Sequence, residues 1–297
     1  MIKNCLKFLL CVTVYAIAFM LAGAILPFSQ GFIETSQSES PAHMLFMIPQ
    51  FVWNCFVIYF IVRHTRYTGI KLFARMLYVM FFAVFFITFV GALYSLNAFD
   101  GNMTMMDMIS TMIIGLFSLP ATIPLILKFF QNKDAKNAII RNKKISIKTI
   151  MSKLAFCGIA YLASYFLFAL FFQWPVEEFR MFYWNTPWGQ AAWNGDSSGI
   201  IPWLSITAIR GVLNGLFILP MLSLIDKSKI TFITGICLIY VTPAFNHFAP
   251  NPMFPDIVRV VHLVAMTGSM LLFGIVAGNI LWGNNARQLT QSDDGVK

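Results

Sequence analysis

Long apolar runs separated by short polar stretches dominate the chain, and the runs fall near the twenty residues that a helix needs to cross a bilayer. Stretches bounded by charge occupy residues 8–28, 44–62, 76–98, 103–127, 154–173, 200–224, 230–248 and 257–282. Inside lipid every backbone N–H and C=O must be bonded within the segment, which runs of this length achieve as helices. Barrel strands would be about ten residues long and alternate in polarity. The pattern therefore predicts an all-α protein, a polytopic membrane helix bundle of about eight transmembrane helices.

Composition agrees. Of 297 residues 58% are hydrophobic and 11% charged, with mean hydropathy +0.73, whereas a soluble domain is about 25% charged. A soluble protein is excluded. The net charge of +9 might suggest a nucleic-acid partner, but its distribution follows topology. With the N-terminus inside, every Lys and Arg except Arg180, Arg210 and Arg259 falls in a cytoplasmic segment. Acids lean the other way, with Glu34, Glu39, Asp100, Asp107, Glu177, Glu178, Asp196 and Asp256 outside. That bias predicts both termini in the cytoplasm. The first run, with Lys3 and Lys7 before it and Ala22-Gly23-Ala24 near its end, also has features of a secretory signal. It is longer than a usual signal core, which favours a retained helix.

The five cysteines show no CxxC or His-Cys spacing, so neither a zinc site nor a disulfide framework is expected, and no metal or cofactor is assigned. They read as small apolar core residues. The basic segment 128–153 is expected to lie against anionic lipid headgroups. Nothing aromatic interleaves its central charges to stack on bases, which argues against nucleic acid. It divides the chain into possible halves, 1–130 and 150–283, followed by a polar tail, 284–297. Tyr94 and Ala98-Phe99 are echoed near 146 residues on by Tyr240 and Ala244-Phe245. Asn102, Met103 and Asp107 are echoed by Asn251, Met253 and Asp256. A parallel duplication of this kind suits a transporter. In the aromatic loop 174–199, Pro175, Glu177 and Glu178 mark a helix start, and Val176, Phe179 and Tyr183 give that helix one apolar face.

Arg210 is the most informative position, because it falls well inside the sixth run. A central Arg is costly in lipid and must face protein or water. Thr207 and Asn214 share its stripe, and Gly211 with Gly215 form GxxxG, which lets a neighbouring helix approach. Arg210 has two open explanations: a structural bond to carbonyls or to an acid such as Asp107, Glu177 or Glu178, or a functional charge. In the last run Arg259, His262 and Met266 share a face. Arg180, Arg210, Arg259, His262 and Asn214 are the candidate ligand-binding residues. Together they would form an outward-facing cationic cleft suited to a carboxylate or phosphate.

The stretches Phe172-Gln-Trp-Pro-Val-Glu-Glu-Phe-Arg-Met-Phe-Tyr183 and Asn251-Pro-Met-Phe-Pro-Asp-Ile-Val-Arg-Val-Val-His262 resemble paired signatures of a family of bacterial multi-pass membrane proteins without an assigned activity. The resemblance rests on Pro175, Arg180, Phe182 and Tyr183, then Asn251, Pro252, Pro255, Val258, Arg259 and His262. It implies a bacterial inner-membrane protein and supplies no reaction. Glu177-Glu178, His247 and His262 also follow the chain order of CAAX-type intramembrane metalloproteases, with departures. The EExxxR of that family is here Glu177-Glu178-Phe-Arg180, no Phe stands four residues before His247, and Met266 follows His262. The expected function is binding or transport of an anionic or amphipathic small ligand. The alternatives are a non-catalytic membrane subunit or scaffold and, further off, a metal-dependent hydrolase.

Overall fold

The computed structural model describes residues 2–37, 43–65, 67–94, 103–131, 146–184, 200–225, 228–249 and 254–282. Side chains 37, 43, 44, 94, 184 and 200–203 are outside that description. Most of the basic connection, much of the aromatic loop, the tail, and Ala98, Phe99, Asn102, Asn251 and Met253 of the internal echo also lie outside the described residues.

Every regular element among the described residues is helical. In chain order they are α1 (Ile2–Ile25), α2 (Gln30–Gln37), α3 (His43–Phe46), α4 (Ile48–His64), α5 (Gly69–Met80), α6 (Ile87–Tyr94), α7 (Met105–Phe130), α8 (Ile147–Phe168), α9 (Glu177–Trp184), α10 (Ile200–Ile218), α11 (Met221–Leu224), α12 (Lys229–Val241) and α13 (Asp256–Trp282). A π-helical segment, Phe81–Phe86, joins α5 to α6, another, Ala169–Gln173, extends α8, and a 3₁₀ segment, Thr242–His247, extends α12. Seven of the resulting helices are long and apolar enough to cross a membrane. The second expected run forms α4, whose 17 residues rise about 25 Å.

Contacts sort into two ends. At one, Asp107 accepts from Ser29 N (2.6 Å), Ser29 Oγ (2.7 Å), Thr104 N (2.7 Å) and Thr104 Oγ1 (2.7 Å). Thr104 caps α7 in return, because the side chain three residues into the helix reaches back to the cap. Asp107 thereby ties the exit of α1 to the start of α7. At this same end Trp53 Nε1 donates to Thr242 Oγ1 (3.2 Å) and Gln50 to Asn246, joining the start of α4 to the exit of α12. At the opposite end Lys153 donates to Leu281 O (2.7 Å), Arg75 to Ser223 Oγ (2.8 Å) and Gln131 to Tyr67 O (2.9 Å), while the Arg75 guanidinium lies 3.9 Å over the Tyr67 ring. Lys7 approaches the Phe129 ring there. Successive long helices alternate direction between the Asp107 end and the Lys153 end.

The expected close approach at Gly211 and Gly215 is present, and α8 is the partner. A Cβ on Gly211 would lie 2.5 Å from Tyr161 Cβ and 2.9 Å from Cys157 O, and one on Gly158 would lie 3.2 Å from Ala208 O. Two backbones meet with no room for a methyl group. All five cysteines are free, and Cys11, Cys55 and Cys157 are buried as expected; Cys5 is exposed and Cys237 half-buried, because they face outward from α1 and α12.

Gly211→Ala should lower the melting temperature in detergent by several degrees, while Gly23→Ala, with nothing within 4 Å, should leave it unchanged or raise it. Equal effects would contradict the packing. Asp107→Ala strands four donors and should cost on the order of 3 kcal/mol in chemical denaturation; a loss below the error of the measurement would contradict its role as a tie.

Candidate functional site

The site is built from four spans. In α10, Arg210 and Asn214 stand one turn apart on one stripe, with Gly211 beside them seating α8. The close approach brings Tyr161 of α8 beneath Arg210, whose guanidinium carbon lies 5.7 Å from the Tyr161 ring centroid. On its other side the guanidinium rests on Gly91 of α6. A Cβ there would come within 2.8 Å of Nη2 and 2.9 Å of the guanidinium carbon. Gly91 is thus a cradle that any larger residue would fill.

Arg210 makes no hydrogen bond or ion pair among the described residues, and its Nε is buried without a partner. Asp107, one acid proposed for it, is fully engaged by Ser29 and Thr104. Glu177 and Glu178 are exposed at the start of α9. None of these three acids pairs with Arg210. Asn214 Nδ2 and Tyr161 Oη are also buried and without a partner. The Asn214 backbone carbonyl accepts from Tyr240 Oη (3.0 Å), which fixes α12 against α10. Arg210 as a whole is half-buried, but among the described residues its Nε, a carboxamide nitrogen and a phenol are buried with no acceptor, a patch of donors whose unmade hydrogen bonds are costly.

His262 in α13 forms the second part. Its Nε2 meets Tyr183 Oη of α9 at 2.5 Å. Its ring stacks on His247 with centroids 4.9 Å apart and planes 16° apart, and Phe179 and Phe254 close around it at 5.0 Å and 5.9 Å. The helix read from Pro175 onward is present as α9, and Phe179 and Tyr183 on its expected face dock against α13. Phe182, outside that face, packs there too, against Phe254. His262 lies within electrostatic reach of both Arg210 and His247, so the two parts adjoin.

The other two arginines are already engaged. Arg259 donates to His247 O (3.2 Å), Phe248 O (3.3 Å) and Asp256 Oδ1 (2.9 Å), pinning the start of α13 to the exit of α12. Arg180 donates to the Trp174 carbonyl. Both are held at helix ends, and of these three arginines Arg210 is the one that makes no hydrogen bond or ion pair among the described residues. The two histidines of the hydrolase alternative meet, but among the described residues no three of His, Cys, Asp and Glu gather as a metal ion would need. Tyr161, Gly91 and His247 were not among the expected ligand-binding residues.

No family model, curated protein or solved structure matches the chain.

The Tyr183 and His262 contact should appear as a coupling of about 1 kcal/mol or more in a double-mutant cycle with Tyr183→Phe and His262→Phe, read by chemical denaturation. Additive effects would show that α9 does not depend on this bond.

Proposed function

We propose that the chain is a bacterial inner-membrane protein that binds and moves an anionic or amphipathic small molecule through a site centred on Arg210. In this proposal it crosses the membrane eight times, α4 being the eighth span, with both termini in the cytoplasm and the Lys153 end facing inward. Support for the orientation comes from Lys7, Arg63, Arg75, Lys128 and Lys153, which stand at that end as the positive-inside rule requires. The bacterial assignment rests on the resemblance of the two signature stretches. The 128–153 segment would lie on anionic headgroups.

One observation carries the ligand: Arg210 Nε, Asn214 Nδ2 and Tyr161 Oη are buried with no acceptor among the described residues. A carboxylate or phosphate supplies acceptors for all three, and the planar guanidinium matches its oxygens in pairs. A site deep in a bundle, between spans of both halves, is where carriers hold their substrates. The opposing observation is that Arg180 and Arg259 are spent on carbonyls and Asp256, which favours a non-catalytic subunit or scaffold whose outer rim is purely structural. Within the transport proposal they shape the mouth, and His262 with Tyr183 lines the approach.

The test needs no known ligand. With the five native cysteines replaced, Asn214→Cys is introduced and its modification by membrane-impermeant anionic and cationic thiosulfonates is compared in right-side-out vesicles. The anionic reagent should react faster, and adding Arg210→Met should lower the anionic-to-cationic rate ratio on the order of tenfold or more, as removal of a unit charge a few ångströms away requires. Absence of labelling by either reagent, or a ratio indifferent to Arg210, would contradict an anion site open to the outside. Gly91→Val, which fills the cradle, should reduce the ratio as Arg210→Met does, while folded yield is followed by size-exclusion chromatography.

A further inference from the structure

A second set of unpartnered polar atoms lies in the first half of the chain. Among the described residues Tyr15 Oη, Asn54 Oδ1 and Thr122 Oγ1 are buried with no hydrogen-bond partner at ordinary distance and angle, and the three residues are at most 1% exposed. They come from α1, α4 and α7, which pack against one another. The Tyr15 hydroxyl reaches toward that of Ser118, one turn from Thr122 in α7, closely enough to interact with it and still leave a lone pair free, and it lies within electrostatic reach of Cys55, the neighbour of Asn54 in α4. The Asn54 amide nitrogen already donates to Gln50 O (2.9 Å). What remains is a carboxamide oxygen and two hydroxyls able to turn lone pairs inward.

This set is the counterpart of the Arg210 site. Lys7, Cys11, Tyr15 and Phe19 of α1 match Lys153, Cys157, Tyr161 and Tyr165 of α8, each pair 146 residues apart. Tyr15 meets Phe51, three residues before Asn54, with rings 5.7 Å apart; Tyr161 meets Gly211, three residues before Asn214. The helix pairings repeat as well: α1 with α7 answers α8 with α13, and α4 with α12 answers α10 with α6. The two nodes differ in sign. Arg210 makes the second a set of donors, whereas Gln50 occupies the corresponding turn before Asn54, and the Asn54 oxygen is the atom left open.

We propose that the first half binds a monovalent metal cation at Asn54 Oδ1, Thr122 Oγ1 and Tyr15 Oη. Neutral oxygens with no carboxylate suit a single charge, since divalent ions of the calcium and magnesium type draw on acidic ligands. None of the three oxygens is basic enough to hold a proton, so the site selects a metal ion over acid. Sodium is the probe. The site stands without the Arg210 proposal; if both hold, one protein binds an anion and a cation in matched places, the arrangement that coupled carriers need.

Full-length protein in detergent is melted in sodium chloride and in choline chloride at equal ionic strength. Sodium should raise the melting temperature by several degrees, because a ligand bound only by the folded state stabilises it. The shift should vanish in Thr122→Val, which keeps the shape and removes the hydroxyl, and in Asn54→Leu, with Thr122→Val deciding if Asn54→Leu does not fold. Arg210→Met should retain the shift, so failure of the anion site would leave this one standing. Equal melting in sodium and choline, as an ordered water would give, overturns the proposal. A sodium shift that persists in Thr122→Val also overturns it by placing the ion elsewhere.

Discussion

A half-buried guanidinium with its Nε in the interior and no counter-charge among the described residues is the constraint on which the rest of this structure turns. Removing a guanidinium from water costs several kcal/mol, even after snorkelling and water entry, and folding recovers that cost only if something accepts its hydrogen bonds. The three acids expected to do so do not. Asp107 is saturated by Ser29 and Thr104, and the carboxylates of α9 are exposed. Gly91 and Tyr161 give the charge a place to rest, one by having no side chain and the other by presenting its ring, but neither accepts its protons in the plane of the guanidinium.

The surrounding packing holds this group in place. With Gly211 against Tyr161 and Gly158 against Ala208, α8 and α10 are too close to slide independently. Tyr240 binds the Asn214 carbonyl from a third helix. Away from the site, Asp107 and Arg259 tie helix ends together through loops, each by several hydrogen bonds to groups that helix termini leave open. Hydrogen-bonded junctions at the helix ends thus frame a centre in which Arg210 Nε, Asn214 Nδ2 and Tyr161 Oη have no partner among the described residues.

Much of this was legible in the sequence. Hydropathy located the seven helices that are long and apolar enough to cross a membrane, because lipid imposes one length and one periodicity, yet α1 and α8 start earlier than the apolar runs, at Ile2 and Ile147, since a helix can continue past an apolar run where polar side chains are tolerated. The Gly211 and Gly215 pair announced a close contact, and Pro175 with Glu177 and Glu178 announced α9. Arg210 and Asn214 stood out because charge and amide are rare in such runs. What could not be read locally was partnership. Nothing near Asp107 indicates that Ser29 will cap it, and Arg259 looks as free as Arg210 until the carbonyls of residues 247 and 248 are placed beside it. Gly91 carries no local signal at all. Tyr161, in contrast, was within reach, for the Lys-x3-Cys-x3-Tyr spacing shared by the first and fifth runs marks it.

The most direct measurement is an experimental structure of the protein in lipid nanodiscs, at a resolution that shows ordered solvent around α8 and α10. The account predicts density other than protein in contact with both the Arg210 guanidinium and the Asn214 amide, connected to bulk water on the Asp107 side. Arg210 bonded to a carboxylate or to backbone carbonyls, in a dry interior, would contradict it.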